Sequence, residues 1–121
     1  MSRNFKQEGA VIAYTATANV ANGAVVKIGN VLGVALSAIA NGATGQVRLE
    51  GVFSVPKVPG AVIVQGESLT WDVSAAAFDD NLAVPATGDV TGPVAHAWES
   101  SGNGATSLLV KFTGVPGTVT A

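Results

Sequence analysis

Apolar and polar residues alternate along this chain in short runs, and glycine or proline breaks the pattern every roughly eight to twelve residues. In residues 24–28, Val26 and Ile28 share one face while Lys27 points away. Val47 and Leu49 oppose Arg48 and Glu50 in residues 46–50, read as one strand, and Leu108, Val110 and Phe112 oppose Lys111 in residues 108–112. Period-two patterning of this kind predicts strands of antiparallel sheets with one face in water. A first strand is expected over 10–17. Residues 74–78 come nearest to a helix and are too short to hold one. Asn22-Gly23, Asn41-Gly42 and Asn103-Gly104 mark turns, because Asn and Gly accept positive φ at low cost. Residues 55–60, carrying Pro56 and Pro59, interrupt pairing and read as a link between halves.

Part of the pattern occurs twice. Asn41-Gly42-Ala43-Thr44 returns as Asn103-Gly104-Ala105-Thr106. Upstream, Ala35-Leu36-Ser37 answers Ala97-Trp98-Glu99, and Gly23 with Val26 and Ile28 answers Gly66 with Leu69 and Trp71. Downstream, residues 47–52 answer residues 110–115, one residue out of step, with Arg48 answering Lys111 on the outer face. Strand parity holds in every pair. Two copies of a three-strand unit are expected, about 23–52 and 66–115, with an insertion about 73–91 in the second. Neither unit buries its apolar face alone. The expected fold is therefore all-β, a small antiparallel barrel or sandwich of two pseudo-repeated three-strand units. An extended N-terminal arm over 1–9 precedes a single β domain over 10–121.

Composition adds a need for partners. The chain of 121 residues has the size of one domain, is 48% hydrophobic and has a mean hydropathy of +0.43. Charged residues make up 12%, against about a quarter in an ordinary soluble domain. So apolar and weakly charged an exterior is expected to be covered by something else. A net charge of -2 and a pI near 5.1 leave no electrostatic footprint for nucleic acid. With no cysteine, the chain has no disulfide scaffold, thiolate metal site or thiol nucleophile, which suits a reducing cytoplasm. Residues 1–9 lack the apolar core of a signal peptide, and the longest apolar run, 31–40, is half a membrane span. The expectation is a soluble protein, off the usual export route and without a membrane partner.

Catalytic constellations are thin. His96 is the single histidine, with Ser37, Ser100 and Ser107 as candidate nucleophiles and no nucleophile motif around any of them. Asp79-Asp80-Asn81 lacks the spaced carboxylates and central glycine of a calcium loop and reads as a solvated acidic turn. Glu50 and Glu99 have no partner for acid–base work. No Gly-Lys-Ser or Gly-Lys-Thr follows the glycine-rich stretches, so a phosphate loop has no support. Phe53, Trp71, Trp98 and Phe112 are placed mostly at inward positions, as core; Phe5 and Tyr14 stand apart. No catalytic, metal or cofactor residue is assigned, no cofactor or small-molecule substrate is expected, and the chain reads as no enzyme. The polar segment 2–9, with Phe5 as its one aromatic, reads as an arm that adds hydrogen bonds to a sheet edge elsewhere.

The opening Asn4-Phe5-Lys6-Gln7-Glu8-Gly9 resembles the start of the small capsid cement, or decoration, proteins of tailed phages. So do Gly33-Val34-Ala35-Leu36, Leu49-Glu50-Gly51-Val52-Phe53 and residues 66–72, and the similarity runs from about Asn4 to Phe112. The resemblance implies a β-rich protein, made in the bacterial host's cytoplasm, that binds the outer capsid surface of the virion. It implies a homotrimer that stabilises contacts between major capsid protein subunits, with Arg3, Asn4, Phe5, Lys6 and Gln7 as the capsid-binding arm. The alternative class is another non-enzymatic virion component, such as a fibre base or a host-surface binding module.

Overall fold

The computed structural model of the chain describes residues 6–121. Every named element in it is a β-strand, and all strand ladders are antiparallel. Four strands form the first sheet: β1 (Val11–Thr15), β2 (Val25–Ile28), β3 (Val31–Ala35) and β4 (Thr44–Arg48), in the order β1-β4-β3-β2. The hairpin between β2 and β3 closes through Gly29-Asn30, with Ile28 opposite Val31. Gly29 there has φ 58°, which a glycine in a two-residue loop adopts without strain.

The chain then changes sheets. Residues 46–50 are not one strand: β4 ends at Arg48, and β5 (Glu50–Pro56) begins two residues later in the second sheet. Gly51, at φ 133°, makes this bend, and the Arg48 guanidinium Nε donates to the Glu50 carbonyl at 2.8 Å. The second sheet runs β5-β10-β9, where β9 is Ala95–Ala97 and β10 is Ser107–Thr113. Along β10 the side chains alternate between buried and open without a break. Residues 55–60 are not a free link. Val55 and Pro56 complete β5 opposite Leu108 and Ser107, a place proline tolerates because β5 is an edge strand.

Residues 73–91 supply two of the four strands of the third sheet, ordered β11-β8-β6-β7. Its strands are β6 (Thr70–Asp72), β7 (Ala77–Asp79), β8 (Val90–Thr91) and β11 (Thr118–Val119). Residues 74–76 are a turn, closed by Ala76 at φ 51° and by Asp72, whose Oδ1 accepts the N–H groups of Ser74 and Ala75. The excursion is partly core rather than solvated loop, since Phe78 and Val90 have no exposed surface. Asp89 is buried too, with its two carboxylate oxygens accepting the N–H groups of Val73 and Ala86.

Two apolar clusters result. The large one joins Val55, Leu69, Trp71, Phe78, Val90, Ala95, Leu108, Val110 and Phe112 with Leu32 and Val34. Its aromatic rings meet edge to face, Phe78 lying 4.8 Å from Trp71 and 5.8 Å from Phe112 between centroids. The small cluster comprises Ala16, Val26, Ala35, Ile39 and Val47, with Tyr14, Val20, Ile28 and Leu49 half-buried against it. β3 is thus covered on both faces, Leu32 and Val34 facing the large cluster and Ala35 the small one. The face holding Arg48 is accordingly turned inward, against the expectation of an outer face, and Arg48 stands opposite Val34.

Backbone hydrogen bonds in residues 16–48 and 59–110 fall into pairs. Gly23 N–H donates to Ala35 O as Gly66 donates to Ala97 O. Ala35 N–H reaches Ala24 O, and Ala97 N–H reaches Glu67 O. Val20 and Ile39 exchange two bonds, as do Ile63 and Ser101. Leu36 donates to Gln46 and Trp98 to Leu109, while Gly42 donates to Ala16 and Gly104 to Pro59. Ala35 stands opposite Val47, and Ala97 opposite Val110. Gly23, Gly42 and Gly104 have φ of 81°, 84° and 94°, so the three expected turns form at the glycines that permit them.

Candidate docking surface

Because Leu108, Val110 and Phe112 point into the large cluster, the intervening residues of the second sheet share the opposite face. Val52, Lys111 and His96 stand directly across from one another on β5, β10 and β9. Ser68 extends this row through an isolated bridge to His96. The next row pairs Ser54 with Leu109, whose carbonyl accepts the Trp98 N–H at 2.9 Å. Val52 is 39% exposed and Trp98 47%. This is a mixed face: Val52 and Trp98 are exposed on it, Leu109, Lys111 and His96 are half-buried, and Ser54 and Ser68 lie beside them.

Three shallow grooves cross the face. One of about 460 Å³ runs between Ser68, Pro93, His96, Thr113 and Val115. A second, about 190 Å³, lies between Gln65, Gly66, His96 and Trp98. The third, about 160 Å³, is walled by Ser54, Leu109 and residues 99–101. Their openness suits a protein surface better than an enclosed small molecule.

The residues weighed for chemistry scatter. Ser37 is exposed in the loop after β3, Ser100 Oγ accepts the Gln65 N–H at 2.9 Å, and Ser107 begins β10 opposite Pro56. Ser68 is the serine opposite His96, a neighbour that sequence spacing did not suggest, and the row they share carries no carboxylate. Asp79 and Asp80 turn their oxygens to the N–H groups of Asp80 and Leu82, as a self-capped acidic turn does. Glu99 is exposed beside the smallest groove, and Glu50 opens β5 opposite Thr113. No cluster of three metal-ligating side chains occurs among the described residues. No helix among them is long and apolar enough to cross a membrane.

The aromatics divide. Trp71 and Phe112 are buried and Phe53 is half-buried, its ring 5.9 Å from that of Phe112. Trp98 is not core. Ala97 points inward, so strand alternation turns the next residue out, a signal present in the sequence once the Ala97–Val110 register is known. Tyr14 lies half-buried on the small cluster. Of the expected arm, Arg3, Asn4 and Phe5 lie outside the described residues. Lys6 and Gln7 are exposed, and the Gln7 amide donates to the Val11 carbonyl at 3.2 Å.

The described residues form an all-β protein of antiparallel sheets with two apolar clusters. A family model for phage cement proteins matches residues 6–112, and the chain belongs to that family. Its members are structural components of the virion, associated with capsid proteins. A search of curated proteins found no match.

Proposed function

We propose that this protein is made in the host cytoplasm, binds the outer surface of a tailed-phage head and stabilises contacts between major capsid subunits, acting as a homotrimer. The family match over residues 6–112 carries this reading. The exposed Val52 and Trp98 on the outer face of the second sheet support it, because large apolar side chains left in water are stable once an interface covers them. Many copies of one site on a shell let an oligomer gain avidity from modest single contacts.

The arm over residues 1–9, with Arg3, Asn4, Phe5, Lys6 and Gln7, is the proposed point of capsid attachment ahead of the domain over 10–121. Phe5 is its anchor. The domain itself is proposed to contain two copies of one strand unit, supported by the paired hydrogen bonds of residues 16–48 and 59–110.

Co-sedimentation with undecorated heads tests the attachment. Deleting residues 2–7 should leave the melting temperature close to the parent's and greatly reduce head occupancy. Phe5→Ala should weaken binding about ten- to a hundredfold per site, the effect of losing a fully buried ring worth roughly 1.5–3 kcal/mol; Arg3→Ala should cost less. A truncated protein that saturates heads at the parent's concentration would show that the arm takes no part in docking.

A further inference from the structure

Among the described residues, the four most exposed large apolar side chains are Val84 at 92%, Leu82 at 86%, Val64 at 62% and Val62 at 60%. They come in two pairs, one between β5 and β6 and the other between β7 and β8. A single side chain joins the two segments. Glu67 turns one carboxylate oxygen to the Val64 N–H and the other to the Asn81 N–H. The pairs therefore stand on neighbouring loops tied at one carboxylate. Single apolar residues scattered over a surface are ordinary, but four gathered at such exposure mark a contact surface.

Neither segment is free to turn these side chains inward. Ile63 is buried and exchanges two backbone hydrogen bonds with Ser101, and Ala61 is buried beside it. Alternation then holds Val62 and Val64 outward. In the other segment Ala83 and Pro85 line a groove of about 220 Å³ with Ser68, Thr91 and Gly92, which leaves Leu82 and Val84 in solvent. Its backbone is held along its length: Asp80 Oδ1 accepts the Leu82 N–H, and the buried Asp89 accepts the Ala86 N–H. Apolar side chains displayed on a fixed backbone avoid much of the ordering cost that a loose loop meets on binding.

The chemistry of the rim narrows its partner. Glu67 and Asp80 are the charged residues of 61–68 and 80–86, and neither stretch has a lysine or arginine. An apolar tip without cations gains nothing from the anionic surface of a bilayer. Members of this chain's family associate with capsid proteins, so the surface that such a rim meets on a phage head is a capsid subunit. We propose that Val62, Val64, Leu82 and Val84 form a preset apolar rim that seats in an apolar recess of a capsid protein subunit. The inference rests on the cement reading and adds to the arm a second contact, carried by the folded domain. Two contacts on one chain reinforce each other, because the first raises the effective concentration of the second.

Co-sedimentation of the full-length chain with undecorated heads tests the rim. Leu82→Glu combined with Val84→Glu should raise the concentration for half-occupancy at least about tenfold, the effect of one aliphatic side chain lost from an interface. The melting temperature should stay near the parent's, since both side chains stand in water. Val62→Glu with Val64→Glu is an independent pair should the first fail to melt cooperatively. The partner is read by cross-linking. The chain has no cysteine, so Ala86→Cys, exposed beside the rim, carries one photo-crosslinker. Irradiated on heads, it should yield a conjugate of one copy with one capsid subunit. A conjugate of two copies of this chain would overturn the proposal, as would parent-like binding by both double variants. Either result leaves the cement reading standing if the parent decorates heads. A parent that does not bind heads would overturn that reading and the rim contact together.

Discussion

The first sheet and the second share a hydrogen-bond pattern but are filled differently. Gly33 and Gly45 let the first sheet pack closely: a Cβ on Gly45 would sit 2.5 Å from Ile39, and one on Gly33 2.5 Å from Val47. At the matching places on β9 and β10 stand Ala95 and Leu108, and the aromatic rings of Phe53, Phe78 and Phe112 lie beyond them. The turns around Gly42 and Gly104 are tied down differently as well. Asn19 Oδ1 accepts the Asn41 N–H in the first. Near the second, Lys57 is buried, and its ammonium donates to the carbonyls of Val58, Pro59 and Ala105 at 2.9, 3.4 and 3.2 Å. The small cluster is thus thin and mostly aliphatic, with Tyr14 at its edge, and the large one is thick and aromatic. Residues 73–91 contribute Phe78 and Val90, neither with any exposed surface, to the large cluster.

Matched substitutions break this comparison most directly at Phe112 and Leu49. Phe112→Ala should destabilise the fold by about 3–5 kcal/mol, the usual cost of emptying a fully buried aromatic site. Leu49→Ala, half-buried on the small cluster, should cost less than about 2 kcal/mol. Urea unfolding of the two variants gives both values. Equal costs would mean that the small cluster is as well enclosed as the large one.

The turn supports come next. Lys57→Met removes a charge-assisted donor from three carbonyls and should cost about 1–3 kcal/mol, whereas Asn19→Ala loses one neutral hydrogen bond and should cost about 0.5–1.5 kcal/mol. Thermal melts rank the pair. A tolerated Lys57→Met would show that solvent or a shifted loop satisfies those carbonyls equally well.

The smallest effect concerns acid. The Ser74 hydroxyl first, then the backbone N–H groups of Ala75 and Ser74, hold the Asp72 carboxyl below its ordinary pKa, while slight burial opposes them. A carboxylate with a lowered folded pKa adds stability that is complete above its unfolded pKa and disappears as pH falls through the folded value. Asp72→Asn should therefore flatten the acid side of a melting-temperature profile, below the ordinary aspartate range, by a small amount because the side chain is solvated. Identical acid profiles for parent and variant would show that this turn contributes nothing to acid sensitivity.

Much of the strand pattern was legible in the sequence. The alternation of residues 108–112 became β10, and each of the three Asn-Gly pairs became a turn with its glycine at positive φ. These are local properties, decided by sterics and by the two-residue period of a strand. Family membership was legible too, through motifs spread from Asn4 to Phe112 that the family model covers from residue 6.

What covers each face was decided only by tertiary structure. Alternation says that the two sides of β3 differ, yet Leu32 and Val34 meet one cluster and Ala35 the other, so both sides are buried. Arg48 was read as outward for the same reason that Trp98 was read as core: parity sorts residues onto two faces without saying which face meets another sheet. Phe78 lies in the expected insertion and is fully buried, and Lys57 is buried with its ammonium on the loop carbonyls around it. Each of these outcomes depends on contacts between segments distant along the chain. Short-range periodicity carries no information about those neighbours, and burial is set by them.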